Sequence, residues 1–359
     1  MKLTAQIKLL PSKEQNDILR KTLETFNMAC NEISEIAYKQ KTFSQYPLHK
    51  ITYVQIKNKF KLSAQATVRA IGKVSDSYKL DQKTKHIFRK HGAMTYDSRI
   101  LSYSFDKKIA SIWTVQGRLK VPFVCGEHQA KLLVHQRGES DLVMAESGFY
   151  LLATCDIPDP LQKDVDGFLG IDLGIINIAT DSTGQSFSGE AVEKTRQRLQ
   201  RLRSELQSKG TKGCKRKLKK ISGRQKRFQK HTNHCIAKRI VEKAKDTGKA
   251  IAIENLKGIR KTATIRKSQR AQHNNWAFYQ LKSFIAYKAK LAGLPIKEVD
   301  PRNTSKTCSK CSHCEKSNRK SQSEFVCKSC GYSIHADLNA AINIASRAAV
   351  IQPLFGGVV

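Results

Sequence analysis

The chain has 359 residues, and its 65 Lys and Arg against 30 Asp and Glu give a formal net charge of +35 at pH 7. Such an excess predicts a polyanionic partner. No apolar run approaches the roughly 18 residues of a membrane-spanning helix, and Met1 to Leu10 lacks the apolar core of a signal peptide. The membrane and secreted classes are therefore disfavoured, and we expect the protein to stay inside the cell.

The first 90 residues predict one strand followed by helices. Met1 to Leu10 alternates polar and apolar residues like a strand, and Lys13 to Gln40 carries apolar residues at the three- and four-residue steps of an amphipathic helix. Tyr53 to Phe60 and Ala64 to Lys90 repeat this helical period with basic residues on the polar side. We expect residues 13–90 to form a small helical bundle with a surface that faces nucleic acid.

The pattern changes to short β-type runs from Ile100 to Ile157, separated by turn candidates such as Gln116-Gly117. The runs include Ile112 to Val115, Lys131 to Val134 and Gly148 to Thr154. They predict a small β-barrel or sheet, which the first ten residues could join as a further strand. Pro158-Asp159-Pro160 then predicts a boundary.

The second half begins with strands and continues with basic helices. Phe168 to Ala179 predicts two strands around a turn at Gly174, and Asp181 to Gly184 predicts a hairpin. Thr195 to Lys230 contains fifteen Lys or Arg and one acid. Its apolar spacing predicts two basic helices broken at Gly210 to Gly213. These helices are candidates for tracking a nucleic-acid backbone, although a solvated charged face explains them too.

Helices and strands alternate in the remainder, which predicts a mixed α/β unit. The predicted elements are a helix from His231 to Lys245, a strand from Ala250 to Glu254, a basic loop from Lys257 to Gln272, a helix from Trp276 to Leu291, a strand from Pro295 to Val299 and an Ala-rich helix from Asp337 to Ala349.

Four cysteines predict a zinc ribbon. Cys308 and Cys311 form one C-x2-C pair, and Cys327 and Cys330 form a second pair after fifteen intervening residues. Four thiolates would close the coordination sphere of Zn²⁺, which indicates a structural site. Cys314 lies near the first pair and could be a spare or competing ligand. The alternative is a set of reduced cysteines without metal.

Three acidic residues stand where a divalent-metal nuclease would need them. Asp172 follows the apolar run Phe168 to Ile171, Glu254 ends an apolar strand, and Asp337 follows the cysteine cluster. Each has an ordinary alternative as a hairpin residue, a strand end or a helix N-cap. Together they could hold Mg²⁺ or Mn²⁺, because hard cations prefer oxygen ligands and buried carboxylates need a counter-charge. The chemistry indicated is metal-assisted hydrolysis of a nucleic-acid backbone.

The order of these motifs resembles the TnpB family of insertion-sequence proteins (OrfB type), relatives of the type V CRISPR effectors. The residues that carry the resemblance are Leu9 to Gln15, Gly170-Ile171-Asp172-Leu173-Gly174, Ile253-Glu254-Asn255-Leu256, Thr304 to Cys311, Phe325 to Gly331 and Asp337-Leu338-Asn339-Ala340-Ala341. They extend over nearly the whole chain.

The resemblance implies a prokaryotic, cytoplasmic RNA-guided DNA endonuclease, associated with the nucleoid when it acts. Its guide RNA would derive from the transposon end, and its target would be double-stranded DNA next to a short transposon-adjacent motif. Asp172, Glu254 and Asp337 would be the catalytic acids that bind Mg²⁺ or Mn²⁺. The implied domains are a WED-like β-barrel (residues 1–12 and 91–165), a helical REC-like bundle (13–90), and a RuvC-like nuclease domain (166–359) with a zinc ribbon at about 304–334.

Three other functions remain open at this stage. A nuclease-silent, RNA-guided DNA-binding regulator would be favoured by a missing acid, and none is missing. An unguided RuvC or RNase H-like nuclease would leave the first 165 residues unexplained. A direct transposase is less favoured, because the resemblance is to the accessory nuclease. Only the neighbouring DNA would distinguish a transposon-encoded protein from a small CRISPR effector.

Overall fold

The computed structural model describes residues 1–256 and 277–351. The chain divides into two units, Met1–Pro158 and Asp159–Val359, and the division falls within the Pro158-Asp159-Pro160 sequence that predicted a boundary. The predicted basic loop from Lys257 to Gln272 and the predicted helix start at Trp276 lie outside the described residues. Within the described ranges, no helix is both long enough and apolar enough to cross a bilayer.

Three helices follow the first strand in unit 1: α1 (Lys13–Lys39), α2 (Gln45–Phe60) and α3 (Ala64–Leu80). Helix α1 begins at a capping box, in which the Ser12 hydroxyl accepts from the Gln15 backbone and the Gln15 side chain accepts from the Ser12 backbone. Its apolar stripe, which includes Phe26, is buried in a core that it shares with Tyr78 of α3. The helical prediction is confirmed, although α2 begins eight residues before the predicted Tyr53 (53 − 45).

The prediction of helix as far as Lys90 is wrong, because α3 ends at Leu80. The following segment is held by polar side chains of α1. The Phe88 N–H donates to Asn31 Oδ1 at 2.7 Å, Asn31 Nδ2 donates to the Phe88 carbonyl at 3.0 Å, and Ser34 Oγ donates to the His86 carbonyl at 2.7 Å. These side-chain bonds satisfy backbone N–H and C=O groups that would be paired with each other in a helix.

Seven antiparallel strands form the sheet of unit 1, in the order β2-β6-β7-β1-β5-β4-β3. The strands are β1 (Lys2–Leu9), β2 (Met94–Tyr96), β3 (Leu101–Ser104), β4 (Ile109–Thr114), β5 (Gly117–Val124), β6 (Gln136–Ala145) and β7 (Gly148–Asp156). Side chains connect its two ends, since Tyr103 on β3 donates to Ser140 on β6 at 2.9 Å and Tyr96 on β2 donates to the Trp113 carbonyl on β4 at 3.1 Å. The predicted near-barrel sheet and its strand from the first ten residues are confirmed.

The predicted strand from Lys131 to Val134 is wrong, because these residues belong to a short helix, α4 (Glu127–Leu133), and its C-cap. Leu132 and Leu133 are both buried, and the helix packs against β1 and β7. A short apolar run has no period that separates a buried strand from a buried helical turn. Tertiary packing therefore decided its conformation.

Unit 2 contains a five-stranded mixed sheet in the order β10-β9-β8-β11-β12. The strands are β8 (Phe168–Asp172), β9 (Asn177–Asp181), β10 (Ser186–Ser188), β11 (Ala250–Glu254) and β12 (Ile296–Val299). Strands β8, β11 and β12 run parallel, whereas β8, β9 and β10 form antiparallel pairs. The strands and the hairpin at residues 181–184 match the sequence predictions.

Five described helices accompany this sheet: α5 (Glu190–Lys209), α6 (Lys212–Ile221), α7 (Arg224–Asp246), α8 (Phe278–Leu291) and α9 (Ala336–Ile351). The predicted break near Gly210 is confirmed, but a second break at Ser222-Gly223 makes three basic helices in place of two. Gly223 has a φ of 73°, a left-handed value that glycine adopts without steric cost. Helix α7 therefore begins at Arg224, before the predicted His231.

Helix α9 packs directly on β8 at Gly170. A Cβ atom at this glycine would lie 2.0 Å from the Ala341 carbonyl oxygen and 2.6 Å from the Ala345 backbone nitrogen. Neither backbone atom can move without moving the helix. The absent side chain at Gly170 thus sets how closely α9 approaches the sheet.

We expect Gly170→Ala to lower the stability of unit 2 by about 3 kcal/mol or more, because the added methyl group overpacks the contact between β8 and α9. Thermal unfolding followed by circular dichroism measures the effect. Gly213→Ala is the matched control, since its Cβ would meet only Thr211 Oγ1 at 3.9 Å and alanine favours a helix. An unchanged melting temperature for Gly170→Ala would contradict the proposed constraint.

Candidate functional site

Two of the candidate acids lie at the carboxyl ends of neighbouring parallel strands. Ile171 on β8 pairs with Ile253 on β11, so Asp172 and Glu254 are the next residues along each strand. All five residues of β11 are buried, and Glu254 is 6% exposed, whereas Asp172 is partly exposed. Parallel strands with matched ends place such side chains at the same edge of the sheet.

The third acid reaches this edge from helix α9. Asp337 stands in the first turn of α9 and is 6% exposed. The contact of α9 with Gly170, two residues before Asp172, brings this turn to the strand ends. The structure therefore brings Asp172, Glu254 and Asp337 together, although 165 residues separate the first from the last along the chain (337 − 172). We call these three residues the acid cluster.

The electrostatics of the acid cluster reflect crowded negative charge. Burial first, and then the charges of Glu254 and Asp337, raise the pKa of Asp172 to about 7. Burial is also the main cause that raises the pKa of Glu254. Arg319 opposes the shift at Asp172 only in part. Arg347 likewise lowers the pKa of Glu254, so the three acids have two arginines as counter-charges.

Three polar side chains that the sequence analysis did not identify bind the acid cluster. Asn177 Nδ2 donates to Asp337 Oδ2 at 2.9 Å, and Arg319 Nη2 lies 3.4 Å from Asp337 Oδ1. Thr304 Oγ1 donates to Glu254 Oε1 at 2.5 Å. Asn177 could have been identified from the sequence, because it begins the strand that pairs with the Asp172 strand. Thr304 belongs to the Thr304 to Cys311 motif that carries the family resemblance, but nothing in that motif indicated a contact with Glu254. Arg319 lies in a polar loop and carried no signal of its own.

The four predicted zinc ligands form one group. The Sγ atoms of Cys308, Cys311, Cys327 and Cys330 all lie within 4.8 Å of one another. The Cys308–Cys330 sulfur distance is 3.8 Å and the Cys311–Cys327 distance is 3.5 Å. Tetrahedral Zn²⁺ with bonds of about 2.3 Å requires sulfur atoms about 3.8 Å apart. These thiols therefore fit zinc.

Local turns position the cysteine pairs. The Ser312 N–H donates to the Cys308 carbonyl at 2.9 Å, and the Gly331 N–H donates to the Cys327 carbonyl at 3.0 Å. A two-stranded sheet of β13 (Glu324–Val326) and β14 (Ser333–His335) flanks the second pair. The backbone N–H of Cys330 donates to Cys327 Sγ at 3.5 Å and lowers the pKa of that thiol, whereas contacts with the other cysteines raise the pKa of Cys311.

Cys314 does not belong to the four-sulfur group. It is exposed, and its backbone forms an isolated β-bridge with Thr307. The remaining cysteines, Cys30, Cys125, Cys155, Cys214 and Cys235, are free thiols dispersed through the chain. The structure thus favours the simple four-cysteine assignment over a competing role for Cys314.

Helices α5 and α6 present their basic residues to the surface. Leu199 is the one buried residue of α5, and Ile221 is the one buried residue of α6. The basic side chains of α6 are Lys212, Lys215, Arg216, Lys217, Lys219 and Lys220. Positive side chains in such density attract a phosphate backbone.

Two family models match the chain. The model described as "Cas12f1-like, TNB domain" matches residues 278–344, and the model described as "Probable transposase" matches residues 154–275. The first covers α8, the zinc ribbon and most of α9. The second covers β8 to β11, so the acid cluster is shared between the two matched regions.

Similar proteins include nucleases and a TnpB-like protein. The chain is 26% identical to the CRISPR-associated endodeoxyribonuclease Cas12f1 of Sulfoacidibacillus thermotolerans over 93% of each chain. It is 32% identical to the TnpB-like protein MJ0751 of Methanocaldococcus jannaschii over 44% of this chain and 55% of that protein. Alignments with three further curated Cas12f proteins span 36%, 40% and 45% of their lengths.

One solved structure has the same fold over most of the chain. It is the Cas12f1 chain of a cryo-EM structure of a "Cas12f1-sgRNA-target DNA complex", with a TM-score of 0.64 and 19% identity. The match covers 93% of this chain and 83% of that chain. At this identity, the likeness establishes the fold.

We expect Cys327→Ser to reduce bound zinc well below one ion per chain and to destabilise the ribbon, because a structural zinc site needs all four ligands. Zinc content measured by inductively coupled plasma mass spectrometry tests this. Cys314→Ser is the matched control and should retain zinc. Equal zinc in Cys327→Ser and the parent protein would show that the ligand set is wrong.

We expect Asp172→Asn to raise the melting temperature of the protein in Mg²⁺-free buffer more at pH 7.5 than at pH 5. Because folding raises the pKa of Asp172, the folded state binds this proton more tightly than the unfolded state does. The free energy of unfolding therefore falls as the pH rises from the unfolded-state pKa to the folded-state pKa of about 7. At pH 5 the wild-type carboxyl is already neutral, like the amide. Thermal melting across this pH range tests the sign, and an equal effect at both pH values would contradict it.

Proposed function

We propose that the chain is a member of the TnpB family and acts as an RNA-guided DNA endonuclease. Its reaction is metal-dependent hydrolysis of a phosphodiester in DNA. The observation that carries the proposal is the acid cluster, in which acids from β8, β11 and α9 interact electrostatically at one sheet edge. The family relatives named as endodeoxyribonucleases support the same reaction.

Asp172, Glu254 and Asp337 are the proposed catalytic residues and would hold Mg²⁺ or Mn²⁺. When bound, the cations supply an activated water and stabilise the leaving oxygen of the phosphodiester. Oxygen ligands alone favour these hard cations over zinc. The cluster is partly open at Asp172, which allows a phosphate group to approach.

The polar partners of the acids fix their orientation. Asn177 donates to Oδ2 of Asp337, and Arg319 approaches its Oδ1. Thr304 donates to Oε1 of Glu254, so a ligand would meet this acid at Oε2. Arg319 adds one cation beside Asp337. Its guanidinium would also attract the negatively charged backbone of the substrate.

The zinc ribbon has a structural role in this proposal. Its four cysteines would complete a tetrahedral site and leave no open position for catalysis. The ribbon segment between β12 and α9 carries both Thr304 and Arg319, so it also supplies two of the groups that contact the acids.

The partners in this proposal are a guide RNA derived from the transposon end and a double-stranded target beside a short adjacent motif, and the protein acts in the cytoplasm. The related Cas12f1 structure contains a guide RNA and target DNA. The net charge of +35 and the exposed basic faces of α5 and α6 suit a heteroduplex held mainly through its backbone.

We assign domain roles accordingly. The sheet of unit 1 corresponds to a WED-like domain (residues 1–12 and 91–165), and its helices correspond to a REC-like domain (13–90). Residues 166–359 form a RuvC-like domain on a mixed sheet, with the ribbon inserted at about 304–334. An unguided nuclease would not need unit 1, whose core is as extensive as that of the acid-bearing unit.

Expression with the native flanking DNA should yield one dominant copurifying non-coding RNA with a variable end, and this complex should cleave matching DNA in the presence of Mg²⁺. Asp172→Ala or Glu254→Ala should abolish cleavage, a loss of at least about 100-fold, and retain RNA binding, because the acids hold metal and not the guide. RNA sequencing and a plasmid cleavage assay provide the measurements.

The same experiment separates the alternatives. A heterogeneous RNA population with cleavage independent of the guide would favour an unguided nuclease. A single RNA with guided DNA binding and no cleavage would favour the regulator. Normal cleavage by Asp172→Ala would exclude the assigned site.

A further inference from the structure

A single buried hydroxyl group contacts the Glu254 carboxylate. Thr304 is 3% exposed, and its Oγ1 lies 2.5 Å from Glu254 Oε1 and 3.0 Å from the Pro301 carbonyl oxygen. A hydroxyl has one proton, and an ionised carboxylate is the stronger acceptor of the two. The bond therefore selects which way the carboxylate plane turns at the end of β11.

Two buried asparagines of α9 hold the segment that carries Thr304. Asn343 Nδ2 donates to the carbonyls of Thr304 at 2.8 Å and Thr307 at 2.7 Å. Asn339 Nδ2 donates to the Thr307 carbonyl at 2.8 Å, and its Oδ1 accepts from the Ser309 N–H at 3.0 Å. The two asparagines are four residues apart and so share one face of the helix.

This hydrogen-bonded segment leads directly into the zinc ligands. Ser309 lies between Cys308 and Cys311, and the Cys308 N–H donates to the His313 carbonyl at 2.9 Å within the first cysteine turn. Helix α9, which supplies both asparagines, also carries Asp337 in its first turn. Residues 304–309 thus connect the zinc ribbon, two acids of the cluster and one helix.

We propose that Thr304 is a positioning residue for Glu254, and that residues 304–309 couple zinc binding in the ribbon to divalent-cation binding at the acid cluster. The inference rests on the proposed metal role of the acid cluster. Zinc fixes Cys308 and Cys311, the asparagines fix the preceding carbonyls, and Thr304 then presents its hydroxyl to Glu254. Outer hydrogen bonds of this kind orient metal ligands.

The coupling predicts two effects on cation affinity. Loss of the Thr304 hydroxyl should weaken Mn²⁺ binding by about 10- to 100-fold, the usual cost of removing an outer hydrogen bond to a metal ligand. Loss of zinc should weaken Mn²⁺ binding in the same direction, because the segment before Cys308 loses its anchor. Neither effect requires nucleic acid.

Mn²⁺ titration of the full-length, nucleic-acid-free protein, followed by electron paramagnetic resonance, tests the proposal. Thr304→Val keeps the shape of the side chain and removes the donor, whereas Thr304→Ser keeps the donor and should restore near-wild-type affinity. Thr52→Val is the matched control, since Thr52 is a buried threonine of unit 1 whose hydroxyl donates to the Leu48 carbonyl at 2.6 Å. Zinc content and melting temperature are measured for every variant.

Wild-type affinity in Thr304→Val would overturn the positioning role. Equally weak binding in the Ser and Val variants would overturn it too, because it would reflect packing and not the hydroxyl. Undiminished Mn²⁺ binding in zinc-depleted Cys327→Ser would overturn the coupling.

Failure of the proposed function is distinguishable from these outcomes. If Asp172→Ala binds Mn²⁺ as tightly as the wild-type protein, the acid cluster is not the cation site and the proposal fails with it. If Asp172→Ala abolishes binding while Thr304→Val does not, only the present inference fails.

Discussion

The close packing of helix α9 on strand β8 is the constraint on which the second unit depends. Gly170 allows the helix backbone to approach the strand at a distance that any Cβ would prevent. This contact places Asp337 next to Asp172, which is two residues beyond the glycine. It also positions Asn339 and Asn343, whose side chains hold the segment before the zinc ligands. The close approach at Gly170 thereby contributes to the geometry of both the acid cluster and the four-cysteine group.

Crowded negative charge is the second physical feature of this unit. Burying three carboxylates at one sheet edge is unfavourable without a counter-charge, and the raised pKa of Asp172 expresses that cost. Arg319, Asn177 and Thr304 reduce the cost without removing it. In the proposed function, a divalent cation held by these acids would relieve this cost.

The first unit illustrates how polar side chains can specify irregular structure. Asn31 and Ser34 on α1 hold the segment after α3, and the hydroxyls of Tyr96 and Tyr103 connect the two ends of the seven-stranded sheet. Each bond is buried or partly buried, where a lost partner costs more than at the surface. The bonds from Asn31 and Ser34 hold residues 86–88 in the non-helical conformation that follows the end of α3 at Leu80.

Local sequence determined the features that depend on spacing and period. Three features could be predicted directly: the two cysteine pairs, the apolar runs that end in Asp172 and Glu254, and the amphipathic stripe of α1. Each depends only on the spacing or periodicity of residues within a short stretch of chain. Tertiary structure decided the rest. The run from Lys131 to Val134 became helical through packing, and Asn177, Thr304 and Arg319 gained their roles from acids 160, 50 and 18 residues away. Contacts across such separations leave no periodic trace in the sequence, because they exist only once the sheet, the helix and the ribbon have assembled.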